Sequence, residues 1–314
     1  MWVEYMPDNP PASENITLVY GGGGRFTSHW GGVDEHLAHL THPRVKRGII
    51  LPHSFYDVDF FIQGLDERHT IICREKRSYD YCRSLEPSAK ILLGDDMGMQ
   101  LNIADLPEIK DVPELNDRTN KEELLQHELL QRGWIQKVMR GVRKSTISSR
   151  MNGKNKKISF LLRTDKEKST VLSSPLSYDI SLSWDASCRE TTFNSLFVSV
   201  LAAALKYPDV IVTDRLHVGI MSHLCGKEVY LLDNDYGKLS GVYKQALLYQ
   251  PNVHLLPNGE LTEELTLAWR RFNSPLRIAL HKLASLIVWW NRLKPLLKSP
   301  GRFLSVIKKK IRKE

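Results

Sequence analysis

The stretch from Val210 to Gly241 constrains this chain more than any other. Val210-Ile211-Val212-Thr213 is a short β-branched run, the length of one buried strand. Helical spacing follows from Arg215 to Leu224 and closes on Gly226, and Glu228 to Leu232 makes a second apolar strand. Strands joined through a helix read as a parallel pair, and a parallel sheet needs apolar layers on its faces. The same alternation runs upstream. Ile16–Tyr20 ends in Gly21-Gly22-Gly23-Gly24, and Arg47–Pro52 runs into His53 and Ser54. His69–Arg74 and Lys90–Leu93 are two further strands, with helical character between them from Glu75 to Leu85. Ile158–Leu162 ends at Arg163, and Thr192–Leu205 is a strongly apolar helix. The reading is an α/β chain of two open domains with a ligand cleft between them.

A polar helix from Lys121 to Val138 precedes Arg140–Lys157, which is rich in Lys, Ser, Asn and Gly. That drop in apolar content marks a domain boundary. The expected units are residues 1–150, 151–273 and a tail at 274–314.

With 42% hydrophobic and 25% charged residues, 314 residues suffice for large cores, and global disorder is excluded. The net charge of +8 belongs to the tail: residues 274–314 hold eleven of the 44 Lys and Arg and one of the 36 acidic residues. The rest carries 33 basic and 35 acidic residues, so the body is nearly neutral and shows no nucleic-acid footprint. Met1–Glu14 is acidic and Pro-rich, without the pattern of a secretory signal. Cys73, Cys82, Cys188 and Cys225 show no CxxC spacing and suit reduced thiols, hence a cytoplasmic location.

Arg215 and His217 sit where a buried strand meets a helix. There, free backbone N–H groups and the positive end of the helix dipole favour an anion. Arg215 adds a permanently charged bidentate donor, and His217 a group that exchanges protons near neutral pH. Thr213 or Asp214 is the expected cap. Local pattern leaves a second reading open, in which Arg215 pairs with a carboxylate and His217 is a packed polar residue. Arg163 ends another strand and is a second arginine for the same cleft. The run Gly21–Gly24 allows close backbone approach to a ligand and can form an N–H nest, although it has neither GxGxxG spacing nor a P-loop lysine. His53 ends a strand too, with a structural histidine as its default role. His36, His39 and His42 recur by threes, but Pro43 ends that helix and no Cys or carboxylate accompanies them, so no metal site is expected.

Thr213-Asp214-Arg215-Leu216-His217, followed by Leu231-Leu232-Asp233-Asn234-Asp235-Tyr236-Gly237-Lys238, resembles the polysaccharide pyruvyl transferase family. Further segments fall in the family's order: Gly21-Gly22-Gly23, Leu51-Pro52-His53-Ser54, Arg74-Glu75 with Ser78, Asp95-Asp96-Met97, and Leu162-Arg163-Thr164-Asp165-Lys166-Glu167. The resemblance implies a GT-B-like pair of Rossmann-type domains. It also implies transfer of a pyruvyl group from phosphoenolpyruvate to a sugar as a ketal, with no cofactor. Donor contacts carry over to Arg215, Leu216, His217 and Arg163, and Asn234, Tyr236, Lys238, Gly22 and Gly23 are further substrate-binding candidates. His53 is a candidate for proton transfer on the acceptor side. Val218 stands where the family usually has glycine, and Pro52-His53-Ser54 where it has Pro-Gln-Ser; Val218 narrows the donor pocket. Alternatives are a GT-B sugar-nucleotide glycosyltransferase and a non-catalytic subunit of a polysaccharide assembly complex.

In the tail, Leu276, Leu280, Leu283, Ile287 and Trp290 fall on one helical face, and Lys308, Lys309, Lys310, Arg312 and Lys313 follow among apolar residues. This is the pattern of an interfacial anchor to an anionic membrane, the inner face of the plasma membrane being the expected place, where a lipid-linked saccharide acceptor would also reside.

Overall fold

A computed structural model describes residues 15–24, 26–28, 32–106, 121–165, 172–180, 191–233, 237–256 and 259–297. The chain builds two sheets in succession. The first contains β1 (Ile16–Tyr20), β2 (Val45–His53), β3 (His69–Cys73) and β4 (Lys90–Leu93), all parallel and in sequential order. Helices α1 (Val33–Thr41), α2 (Asp59–Gln63) and α3 (Lys76–Ser84) make the crossovers. Alternation along the strands sends Ile50, Ile71 and Ile91 into one cross-strand row. That row packs with Leu40, Phe61, Ile62 and Cys82 from the helices into a single core. Val19 and Leu92 point the other way and are exposed.

The second sheet has the order β5 (Thr146–Met151), β6 (Lys154–Leu161), β7 (Val210–Thr213), β8 (Glu228–Leu232) and β9 (Val253–Leu256). Only β5 is antiparallel. Every residue of β7 and the last four of β6 are buried, as expected of parallel strands covered on both faces. One face packs Phe160, Val212 and Tyr230 against Leu265, Ala268 and Phe272, the latter three from α8 (Glu263–Phe272). The other packs Leu161 and Ile211 against Val138 and Val142 of α4 (Lys121–Lys144), Val200 and Leu205 of α5 (Thr191–Leu205), and Val218 of α6 (Leu216–Leu224). The short α7 (Lys238–Val242) covers Leu231. Parallel strands alternating with helices in both halves are consistent with a Rossmann-like α/β fold.

The polar segment Arg140–Lys157 is not a linker. It is the end of α4 and a hairpin that adds edge strand β5 to the second sheet. Its polarity comes from the solvated edge, where Lys154 and Asn155 are exposed; its turn is at Asn152 and Gly153, both with positive φ (50° and 73°). The second sheet therefore starts at Thr146. The tail begins as α9 (Pro275–Leu297), and residues 298–314, with the basic cluster Lys308–Lys313, lie outside the described residues. No helix among the described residues is long and apolar enough to cross a membrane.

Candidate functional site

Both sheets turn the carboxyl ends of their strands toward one cleft of about 350 Å³. The loop after β1 contributes Gly24, and the end of β3 contributes Arg74. From the second sheet come Arg163 after β6, then Arg215, Leu216, His217 and Val218 after β7, and Lys238 after β8. Ile180 and Leu201 supply apolar wall. Five cationic or ionisable donors thus face a space the size of a small ligand.

Helix α6 starts one residue later than its sequence suggests, and Arg215 is the N-cap residue, without a side-chain cap bond. Asp214 cannot cap because its Oδ1 accepts the Arg163 amide at 2.7 Å; Thr213 Oγ1 takes the Arg215 amide at 3.1 Å. The first helical bond runs from the Gly219 amide to the Arg215 carbonyl, at 3.0 Å. The amides of Leu216, His217 and Val218 therefore have no acceptor within the helix, and all three residues line the cleft.

Arg215 is held from behind. Its Nε and Nη2 donate to the two oxygens of Asp179 at 2.6 Å each, and Nη2 also reaches Asp165 at 3.0 Å. Asp165 in turn accepts from Arg163 Nε and Nη2 at 2.8 and 2.9 Å. The Thr164 amide and hydroxyl bond Asp179 too. Two arginines are thus locked in orientation by two carboxylates. Arg215 is paired with carboxylates and also lines the cleft.

On the opposite wall, Arg74 is fully buried at the end of β3. Its Nε donates to Ser54 Oγ at 2.8 Å, and its Nη1 to Asp96 Oδ2 at 2.7 Å. Ser54 donates to Glu75, which also accepts from Ser78. Burial raises the Glu75 carboxyl, against the pull of Ser78, Arg74, Ser54 and Lys238. Burial would raise Asp96 as well, but the bond and charge of His217, the Arg74 guanidinium and the Gly98 amide outweigh it and hold the carboxyl well below its usual range. His217 Nε2 lies 3.5 Å from Asp96 Oδ2, and its side chain is otherwise largely exposed. One carboxylate from the first sheet thus orients the histidine of the second.

His53 occupies a different position from the cleft residues. It is buried, with Nδ1 2.9 Å from the Leu51 carbonyl and its ring 4.7 Å from that of Phe26. Burial lowers its pKa to about 3, so the ring is neutral near pH 7. It backs the glycine loop: a methyl group on Gly23 would meet His53 Nε2 at 3.3 Å, and the Gly23 amide donates to Pro52 at 3.1 Å. Gly22 packs beside Pro52 and Met97. Asn234 and Tyr236 lie outside the described residues. His36 stacks edge-on against Tyr20 and Phe26, and among the described residues no group of three or more His, Cys, Asp or Glu is placed to hold a metal. Cys73 and Cys82 are free thiols 3.9 Å apart.

The sequence pattern directed attention to Arg163, Arg215, Leu216, His217 and Lys238, which share the cleft. It gave no site role to Arg74, Asp96, Asp165 or Asp179, whereas Gly24 belonged to the glycine run read as a place of close backbone approach. The available signal for Arg74 was its position at a strand end, the criterion already applied to Arg163.

Comparison with protein families matches residues 3–236 to the polysaccharide pyruvyl transferase model. Curated protein sequences give no significant match. Among solved structures, an uncharacterised protein of Klebsiella pneumoniae superposes with a TM-score of 0.54 at 22% identity, covering 78% of this chain and 76% of that one. That likeness concerns the fold alone.

Proposed function

The chain belongs to the polysaccharide pyruvyl transferase family, and from that premise we propose that it moves a pyruvyl group from phosphoenolpyruvate to a sugar of a surface-glycan precursor, forming a pyruvate ketal. The observation that carries this reading is the convergence of Arg74, Arg163, Arg215, His217 and Lys238 on one cleft between the strand ends of two sheets. Phosphoenolpyruvate carries a phosphate and a carboxylate, and a cleft of cations with free helix amides suits both. In this reading the two halves work as a GT-B-like pair, the second holding the donor and the first facing the acceptor.

Protonation of the donor's methylene carbon leaves an oxocarbenium-like centre at C2, which a sugar hydroxyl attacks. Phosphate then departs, and a second hydroxyl closes the ketal. His217 is the acid nearest this chemistry, oriented by Asp96. Arg163 and Arg215, held rigid by Asp165 and Asp179, stabilise the donor's negative charge without reorganising during the reaction. His53, neutral and behind the glycine loop, is a proton-transfer candidate only if an acceptor reaches past Gly23. Residues 274–314 form an attachment to an anionic membrane surface, which suits a lipid-linked acceptor.

The test is transfer of label from phosphoenolpyruvate to a panel of lipid-linked saccharides. Arg215→Lys is the informative variant, since Arg215→Ala also strands the buried Asp179 at a cost of about 3–5 kcal/mol. Arg215→Lys should keep the fold and lower kcat/KM by at least about a hundredfold, or ~2.7 kcal/mol of transition-state stabilisation. Undiminished transfer by Arg215→Lys, or wild-type protein stabilised by sugar nucleotides and not by phosphoenolpyruvate, would overturn the proposal.

A further inference from the structure

Arg74 poses a physical problem that the structure does not solve internally. Its guanidinium is fully buried, two of its nitrogens are bonded to Ser54 and Asp96, and Nη2 is buried with no hydrogen-bond partner. An unbonded donor on a buried cation costs several kcal/mol, more than a neutral group in the same place. The residue lines the cleft, and Lys238 of α7 reaches the same corner from the second sheet. A methyl group added to Gly24 would lie 2.9 Å from Arg74 Nη2 and 2.6 Å from Lys238 Nζ. Two cations from different sheets therefore meet at the one position where the chain has no side chain.

We propose that Arg74 Nη2, Lys238 Nζ and the space over Gly24 form a phosphate subsite, distinct from the paired arginines Arg163 and Arg215. An oxyanion there satisfies the buried Nη2 and lies against both the guanidinium and the ammonium. The donor geometry selects the class of anion. A carboxylate is matched best by the two parallel N–H groups of one guanidinium edge, the arrangement Arg215 already offers to Asp179. At Gly24 only one guanidinium nitrogen remains, beside an ammonium that acts as a point charge. That set suits a tetrahedral dianion approached from several directions. Glycine at position 24 is required for space: Arg74 cannot yield, being fixed by Ser54 and Asp96. Asp96 also bonds His217, so occupation of this corner is coupled through one carboxylate to the histidine.

The subsite stands on Arg74, Lys238 and Gly24; only its role in holding the phosphate of phosphoenolpyruvate rests on the function proposed above. Titration of the full-length protein with inorganic phosphate, pyruvate and phosphoenolpyruvate separates the two. Gly24→Ala puts a methyl group into the corner without removing any donor of the subsite, and Gly24 does not have a positive φ that alanine would strain. It should weaken phosphate binding by at least about tenfold and raise the KM for phosphoenolpyruvate similarly, with pyruvate affinity changed less than about twofold. Arg74→Gln should do the same if it folds. Wild-type phosphate affinity in Gly24→Ala, or an equal loss for pyruvate, overturns the subsite and leaves the pyruvyl-transfer reading standing. Phosphate binding lost in Gly24→Ala, in a wild-type protein that transfers nothing from phosphoenolpyruvate, supports the subsite and overturns that reading.

Discussion

His53 shows how burial redefines a residue whose sequence position suggested chemistry. Enclosed by Phe26 and Phe55 and bonded to the Leu51 carbonyl, it has a pKa near 3 in the folded state, against the ordinary 6.5. Above pH 6.5 folded and unfolded chains both hold it neutral, and it adds no pH dependence. Between pH 6.5 and about 3 only the unfolded chain takes the proton, so stability falls by up to ~1.4 kcal/mol per pH unit. Denaturant titrations at pH 7 and pH 5 should therefore show a loss of roughly 2 kcal/mol in the wild type, most of it absent from His53→Gln. An identical loss in the variant would assign the acid sensitivity elsewhere. Asp96 acts in a lower window, its contribution being present above its ordinary range near 3.8 and lost as pH falls below it. At this scale the sequence placed Arg163 and Arg215 at strand ends, because that position is visible as local pattern, and passed over Arg74, which ends β3 in the same way. It did not identify the carboxylates that hold them: Asp179 reaches Arg215 across 36 residues of chain, a contact that no periodicity encodes.

At the scale of elements, α6 brings its first-turn amides to the cleft and must seat closely on the sheet. Gly219 is what permits this: a methyl group there would lie 2.5 Å from Leu231 Cδ2, in a wholly buried part of β8. Gly219→Ala should lift the helix and cost about 1–3 kcal/mol of stability. Because the displaced helix begins at Leu216, directly after Arg215, donor KM should rise with the loss of stability; a fall in Tm with unchanged KM would mean that α6 does not position the donor. Elements themselves were largely legible. The β-branched runs became β7 and β8, and the helical spacing between them became α6. Edge strand β5 and the polar start of β6 were not, since an edge strand with a solvated face has few apolar residues; the buried part of β6 was read as the strand Ile158–Leu162.

At the scale of the molecule, the tail leaves the body at a defined root. Arg277 donates to the carbonyls of Lys144 and Thr146 and lies over Phe272, and Ile278 packs on the core. Beyond that root Leu276, Leu280, Leu283, Leu286 and Ile287 are exposed, an apolar face on a helix whose chain continues into the basic residues 298–314. Such a face beside such charge fits an anionic bilayer. Full-length protein should float with phosphatidylglycerol vesicles and not with neutral ones, and deletion of 296–314 should release it; equal flotation after deletion would count against attachment through this segment. Local patterning alone determined that the chain is parallel α/β, that its positive charge is gathered in the tail, and that Arg163, Arg215 and His217 stand where strands end. Those properties follow from the periodicity of neighbouring residues. Only tertiary structure decided that the strand ends of two sheets face each other, that Arg74 is buried with one nitrogen turned to Lys238, and that His53 is packed away as a neutral ring. Each of these depends on which distant segments share a core, and burial and opposing charge are properties of that packing.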